Sequence, residues 1–206
     1  PSTGFLTVIG FLASLTGGVP HEILTLEFGG LRLRPPQPSD FAPWAELRQA
    51  SRPFLQPWEP AWPADDLSQT AFRRRLARYR QEIRSDSAYP FFLVDRQSDA
   101  ILGGITLAHV RRRAAQSATL GYWMGAPHAG KGHMTEAVKA LSRHAFFRLG
   151  LERLEAACLP DNGASVRVLE KAGFRREGYA RGYLSIAGAR RDHVLFARLK
   201  SDPTPE

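Results

Sequence analysis

The chain has 206 residues, 43% of them hydrophobic and 23% charged, with a formal net charge of +8. This is the composition of one ordinary globular domain with enough apolar residues for a buried core, and it excludes a disordered or fibrous chain. The single cysteine, Cys158, excludes an intramolecular disulfide and a cysteine metal cluster, and it suits a reducing, cytoplasmic compartment.

The apolar stretch GFLTVIGFLASLTGGV, residues 4–19, is too short and too glycine-broken to span a membrane. No basic residue precedes it and no small-x-small cleavage site closes it, so it does not read as a signal peptide. We read residues 1–25 as an accessory arm, 26–200 as the folded domain and 201–206 as a flexible tail. LRLRP at Leu31–Pro35 alternates apolar and basic residues, the period of a half-buried strand. A helix follows, with Ser39 or Asp40 as its N-cap. The proline- and tryptophan-rich RPFLQPWEPAWP at Arg52–Pro63 reads as an ordered loop, because proline interrupts regular helix. Asp65–Arg84 predicts an acid-first amphipathic helix carrying Leu67, Phe72, Leu76, Tyr79 and Ile83 on or near one face.

Next, YPFFLVDR and ILGGITLAHVRR flank the polar turn QSDA and predict a hairpin. QSATLGYWMG predicts a further strand, which runs into HAGKGHMTEA at His128–Ala137. Thr135–Leu149 is helical by spacing, with Ala137, Val138, Leu141, Ala145 and Phe146 as its inner stripe. LERLEAACLP is a short buried strand, GASVRVLEKAG a short helix stopped by Gly173, and the remainder a hairpin turning near Ala187–Gly188. The pattern is a mixed sheet with helices on its faces, an α/β or α+β sandwich.

The glycine pair Gly130 and Gly132 ahead of a helix allows a sharp turn or a close backbone approach, and the free N–H groups of such a terminus hold phosphate. The loop lacks both the Walker and the GxGxxG spacing. The arginine runs at 73–75, 111–113, 175–176 and 190–191 are not interleaved with aromatic residues. They read as solvated faces that attract anionic ligands, and no specific nucleic acid is predicted.

In combination these segments resemble the GNAT superfamily of N-acetyltransferases. PHAGKG matches its pyrophosphate loop, Gln/Arg-x-x-Gly-x-Gly/Ala, and MTEAVKAL the helix that follows. NGASVRVLEKAGF at Asn162–Phe174 matches its Asn-x-x-Ser…Glu-Lys-x-Gly-Phe segment, and GYWMG its central strand. The resemblance covers Leu31–Leu199; SRPFLQPWEP and the closing hairpin point to the RimJ/RimL branch, which acetylates the N-terminal amine of ribosomal proteins. It implies a mostly antiparallel twisted sheet of about seven strands.

The resemblance also implies acetyl-CoA as co-substrate and no metal. Its pyrophosphate would be wrapped by Ala129, Gly130, Lys131, Gly132, His133 and Met134, and its pantetheine arm paired with the backbone of Tyr122, Trp123 and Met124. Asn162 would hydrogen-bond the arm and Ser165 protonate the thiolate, although Asn162 or Asp161 also reads as a helix cap and Trp123 as core. Glu59 is the candidate general base, because Thr119-Leu120 stand where relatives often carry a glutamate. Two further departures are Pro127 in place of Gln or Arg, and Leu169 near the place of a tyrosine acid. The expected acceptor is a protein N-terminus, with the oligomer open between monomer and homodimer. Two alternatives stand: acetylation of a small-molecule amine, and a non-catalytic RNA- or ribosome-binding module with a degenerate loop.

Overall fold

Alternating and β-branched segments end up in one sheet. In the computed structural model, which describes residues 25–205, eight strands join it. They are β1 (Leu26–Phe28), β2 (Leu31–Arg34), β3 (Tyr89–Asp95), β4 (Ile101–Arg111), β5 (Ser117–Met124), β6 (Arg153–Cys158), β7 (Arg175–Ile186) and β8 (Ala189–Leu199). The spatial order is β1-β2-β3-β4-β5-β6-β8-β7, and only β5–β6 is parallel. The helices are α1 (Phe41–Ala50), α2 (Arg52–Leu55), α3 (Gln69–Arg84), α4 (His133–Phe147) and α5 (Gly163–Lys171). The mixed, mostly antiparallel α/β architecture is as expected, with eight strands where about seven were expected. The accessory arm expected over 1–25 rests on residues outside the described part, apart from Thr25.

Each sheet face buries its own cluster. On one face Leu33, Leu93, Ile105, Leu107 and Leu154 meet Val138, Leu141 and Ala145 of α4 and Leu169 of α5. On the other, Phe92, Val94 and Ile101 meet Trp44 of α1 and Phe72 and Leu76 of α3, with Trp123 packed against them. Along β5 the period of two therefore sends Tyr122 and Met124 to the α4/α5 face and Trp123 to the α1/α3 face.

Some boundaries differ from expectation for local reasons. Asp40 is the N-cap residue of α1, yet its carboxylate makes no cap bond. It accepts instead from both Arg34 Nη atoms at 2.7 Å and from the Gln37 amide at 2.7 Å. The stretch expected as loop holds one helical turn, α2, with Pro53 in the first turn where its missing N–H costs nothing. α3 starts at Gln69, because Ser68 Oγ caps it by accepting from the Ala71 amide at 3.1 Å. Asp65 and Asp66 lie ahead of the helix and pair with Arg74 and Arg75. The start of the expected tail is tethered: the Asp202 carboxylate accepts from the Leu199 amide at 2.8 Å.

Phe72 is 1% exposed and its ring centroid lies 4.9 Å from that of Trp44. Truncating it empties the middle of the α1/α3 cluster. Phe72→Ala is expected to cost about 3–5 kcal/mol in a denaturant titration, and a cost under about 1 kcal/mol would show that the cluster refills.

Candidate active site

β5 and β6 are held in register by three pairs only, Ser117↔Arg153, Ala118↔Leu154 and Thr119↔Glu155. Beyond them β5 continues to Met124 on β4, and β6 continues to Cys158 on β8. The two strands part, and among the described residues the edge of β5 from Leu120 to Met124 has no strand partner on the β6 side. The sequence-predicted Tyr122, Trp123 and Met124 all lie on this free edge.

β5 then delivers the chain to the glycine turn. Gly130 and Gly132 have φ of 76° and 81°, the left-handed region that favours glycine. A Cβ at either position would meet nothing within 4 Å, so the turn and not crowding within the protein requires glycine. Gly132 caps α4 without a side-chain bond. Among the described residues, the amides from Gly130 to Thr135 donate to no protein acceptor. Partial burial, with the positive charges of Lys131 and His133, holds His128 below its ordinary value. Free amides, a helix N-terminus and nearby cations fit a diphosphate. Ala129, Lys131, His133 and Met134 all fall within this loop and first turn.

Facing the free edge of β5 is the start of α5. Asn162 Oδ1 accepts from the Ser165 amide at 3.0 Å, so Asn162 caps the helix. Ser165 Oγ lies 2.7 Å from Tyr122 Oη. Burial pushes the Tyr122 phenol well above its ordinary value. Cys158, at the end of β6, is the third member: burial pushes its thiol up to about 11, against a hydrogen bond to Ser165 that lowers it. Tyr122 enters the sequence analysis only through its backbone. Its hydroxyl is legible afterwards from alternation with buried Leu120, which sends both side chains towards α4 and α5.

On the opposite face, the Glu59 carboxylate is gripped from three directions. Arg48 Nη1 and Nη2 donate to its two oxygens at 2.7 and 2.8 Å, and Trp62 Nε1 donates to Oε2 at 2.7 Å. The Arg48 guanidinium lies 4.1 Å from the centroid of Trp62 and 5.0 Å from that of Trp123. Gly104 on β4 leaves room for the Trp123 indole, since a Cβ there would strike its Nε1. The structure thus brings Glu59 and Trp123 together through Arg48, a residue absent from the sequence analysis. Its i,i+4 spacing from buried Trp44 on α1 is the signal that places it inward. Phe54 is exposed at 42%. His109 sits at an irregularity of β4 and is exposed, whereas His193 on β8 is buried with its ring 5.5 Å from Tyr183. Glu136, Glu170 and Lys171 are exposed on their helices.

A mixed sheet that parts beside a glycine-turned helix terminus offers a strand edge for an extended arm and free amides for a diphosphate, a combination that suits a nucleotide-linked acyl carrier. Residues 30–175 match the acetyltransferase (GNAT) domain, and the chain belongs to this family of N-acetyltransferases, for which acetyl-CoA is the acyl donor. It is 35% identical over 170 residues to the probable N-acetyltransferase YjcK of Bacillus subtilis (strain 168), covering 82% of this chain and 94% of the relative. It is also 35% identical over 161 residues to the ribosomal protein uS5-alanine N-acetyltransferase of Escherichia coli (strain K12), covering 78% and 83%. Among solved structures, the ribosomal-protein-S5-alanine acetyltransferase of Vibrio fischeri superposes with a TM-score of 0.81 at 30% identity, covering 88% of this chain and 99% of that one. RimJ of Mycobacterium smegmatis, in complex with CoA-disulfide, superposes at 0.79 with 34% identity and 82% coverage of each. No helix among the described residues is long and apolar enough to cross a membrane.

With its thiol value raised to about 11 and 6% of its surface exposed, Cys158 carries little thiolate at neutral pH. Alkylation by iodoacetamide at about pH 8 is expected at least about tenfold slower than for a free peptide cysteine, accelerating as pH rises towards the shifted value. Mass spectrometry of the modified fraction checks this, and rapid labelling at neutral pH would contradict it.

Proposed function

We propose that the chain transfers the acetyl group of acetyl-CoA directly to the N-terminal α-amine of a protein, and of a ribosomal protein in particular. The observation that carries this reading is the parting of β5 from β6 between the free amides of the glycine turn and the Tyr122–Ser165 pair. The ribosomal acceptor is supported by the likeness to the uS5-alanine enzyme, which extends over 83% of that relative. A ribosomal-protein acceptor implies a cytoplasmic setting.

The thioester supplies an activated acetyl group. The amides from Gly130 to Thr135 bind its diphosphate, with the α4 dipole behind them, and the edge of Tyr122, Trp123 and Met124 orients the arm. Ser165 Oγ holds the proton destined for the leaving sulfur. Tyr122 Oη, 2.7 Å away and kept protonated by burial, supplies Ser165 in turn. An N-terminal amine titrates near 8, so roughly a tenth or more of it is neutral at pH 7 and needs no strong base.

Calorimetric titration of acetyl-CoA is expected to show binding in the micromolar range, abolished by Gly130→Glu, which adds a charged side chain to a left-handed turn among amides that await an anion. An alanine- or serine-initiated peptide is expected to gain one acetyl group by mass spectrometry, and an N-terminally blocked copy none. Ser165→Ala is expected to lower kcat by about a hundredfold with little change in acetyl-CoA affinity. Acetylation of a small amine with failure on every peptide would move the acceptor class to metabolites. An absence of acetyl-CoA binding would sink the transferase reading, and steeply salt-dependent RNA affinity would then favour a binding module.

A further inference from the structure

The acceptor side carries a device that acetyl transfer alone does not explain. Arg48 is a buried cation, 6% exposed, and its Nε has no hydrogen-bond partner among the described residues. Burying a guanidinium is costly, and a hydrophobic side chain of similar size would often serve stability better. Here it is spent on one carboxylate and two indoles that come from two separate segments: Glu59 and Trp62 from the loop after α2, and Trp123 from the free edge of β5.

The grip leaves a specific remainder. A carboxylate has about four lone-pair directions. Arg48 takes two and Trp62 Nε1 a third, while the Glu59 side chain stays 20% exposed. One acceptor direction is therefore open on an oxygen that cannot swing. An amine N–H is the complementary donor, and a fixed acceptor beside the reaction strand selects its orientation. A carboxylate already satisfied by a guanidinium suits holding an amine better than stripping its proton. The same segment is anchored from both sides, because the Ser51 hydroxyl just past α1 accepts from the Ala126 amide at 2.9 Å and the Ala187 amide of the β7–β8 turn donates to Glu59 O at 3.0 Å. The wall is thus set against the cofactor loop and the closing hairpin at once.

We propose that Glu59 binds the acceptor's N-terminal amine as a hydrogen-bond acceptor, and that Arg48 and Trp62 are positioning residues that fix its carboxylate. This rests on the transferase reading above and replaces the role of general base for Glu59. The amine enters against Glu59 with the Trp62 and Trp123 indoles beside it, and its lone pair is turned towards the parted strands.

The test is steady-state kinetics on an alanine-initiated peptide with acetyl-CoA saturating, over about pH 6–9. Trp62→Phe removes the indole N–H and leaves a smaller aromatic ring beside Arg48, so it frees the carboxylate from its third donor while keeping an aromatic contact on the guanidinium. Its acceptor KM is expected to rise about fivefold, the loss falling on KM more than on kcat. Glu59→Gln presents an amide NH2 to the guanidinium as well, and its acceptor KM is expected to rise at least about tenfold while the pH dependence of kcat keeps its midpoint. Arg48→Lys, a point charge without the fork, is expected to recover part of the loss seen in Arg48→Met. Acetyl-CoA affinity by calorimetry and melting temperature are measured on every variant. An acceptor KM within twofold of wild type in Trp62→Phe and Glu59→Gln overturns the proposal. So does a hundredfold fall of kcat in Glu59→Gln with a displaced pH midpoint, which would make Glu59 the base. A wild type that binds no acetyl-CoA sinks the transferase reading and this one with it, whereas variants that bind acetyl-CoA normally and keep their acceptor KM sink this one alone.

Discussion

Everything at the site follows from one short parallel contact. A parallel pair needs a crossover, and here the glycine turn and α4 form it, joining β5 to β6. The pair lasts three residues before the strands separate. Neither strand is loose when they part, because β4 holds β5 as far as Met124 and β8 holds β6 as far as Cys158. A rigid strand edge with unpaired N–H and C=O groups is costly to leave without a partner. An extended ligand arm with amide groups of its own satisfies it, so the slot is preorganised by the sheet and needs no movement to form. The glycine turn belongs to the same constraint. It opens the crossover, and it starts α4 with amides that no side chain caps.

The two sides of the sheet are coupled through α1. Its C-terminal end and the residues after it reach the segment ahead of the glycine turn through Ser51 and the Glu59 loop through Arg48. Trp123 belongs to both sides at once: its backbone lies on the edge of β5, while its indole packs among the α1/α3 cluster and against the Arg48 guanidinium. The readings of Trp123 as core and as cofactor strand are therefore compatible, because they concern different atoms of one residue.

The periodic parts of this chain were legible before any coordinates. Alternation found the principal strands, helical spacing found α3 and α4, and the glycine pair marked the turn. These signals are local, and each is decided by residues within a few positions of one another. What escaped the sequence depends on distant partners. β1 is three residues long and exists because β2 offers it an edge. The Asp40 side chain leaves its expected cap because Arg34, six residues earlier, competes for the same oxygens with two charged bonds. Arg48 meets its partners only in the fold, where the Trp62 and Trp123 indoles lie against its guanidinium. Glu59 was legible as a candidate carboxylate, but the guanidinium that grips it lies eleven positions away.

Position 169 holds a leucine, and in the proposed mechanism the acid comes from another element. Leu169 is 1% exposed and packs in the core beneath α5, so a phenol there would need space that this core has filled. A phenol arrives instead from across the gap. Tyr122 projects from the free edge of β5 and meets Ser165 on α5, so the hydroxyl pair bridges the two elements that flank the slot. A phenol on α5 itself would leave the opening spanned by the ligand alone. Here the 2.7 Å contact ties the sheet to the helix across the slot, and in the proposed mechanism it also offers a route for a proton. Burial of Tyr122 and Cys158 keeps both neutral, so neither adds a fixed negative charge beside Ser165. Apolar surroundings that would be a poor place for a general base are a good place for an acid whose only task is to give up a proton once a thiolate forms.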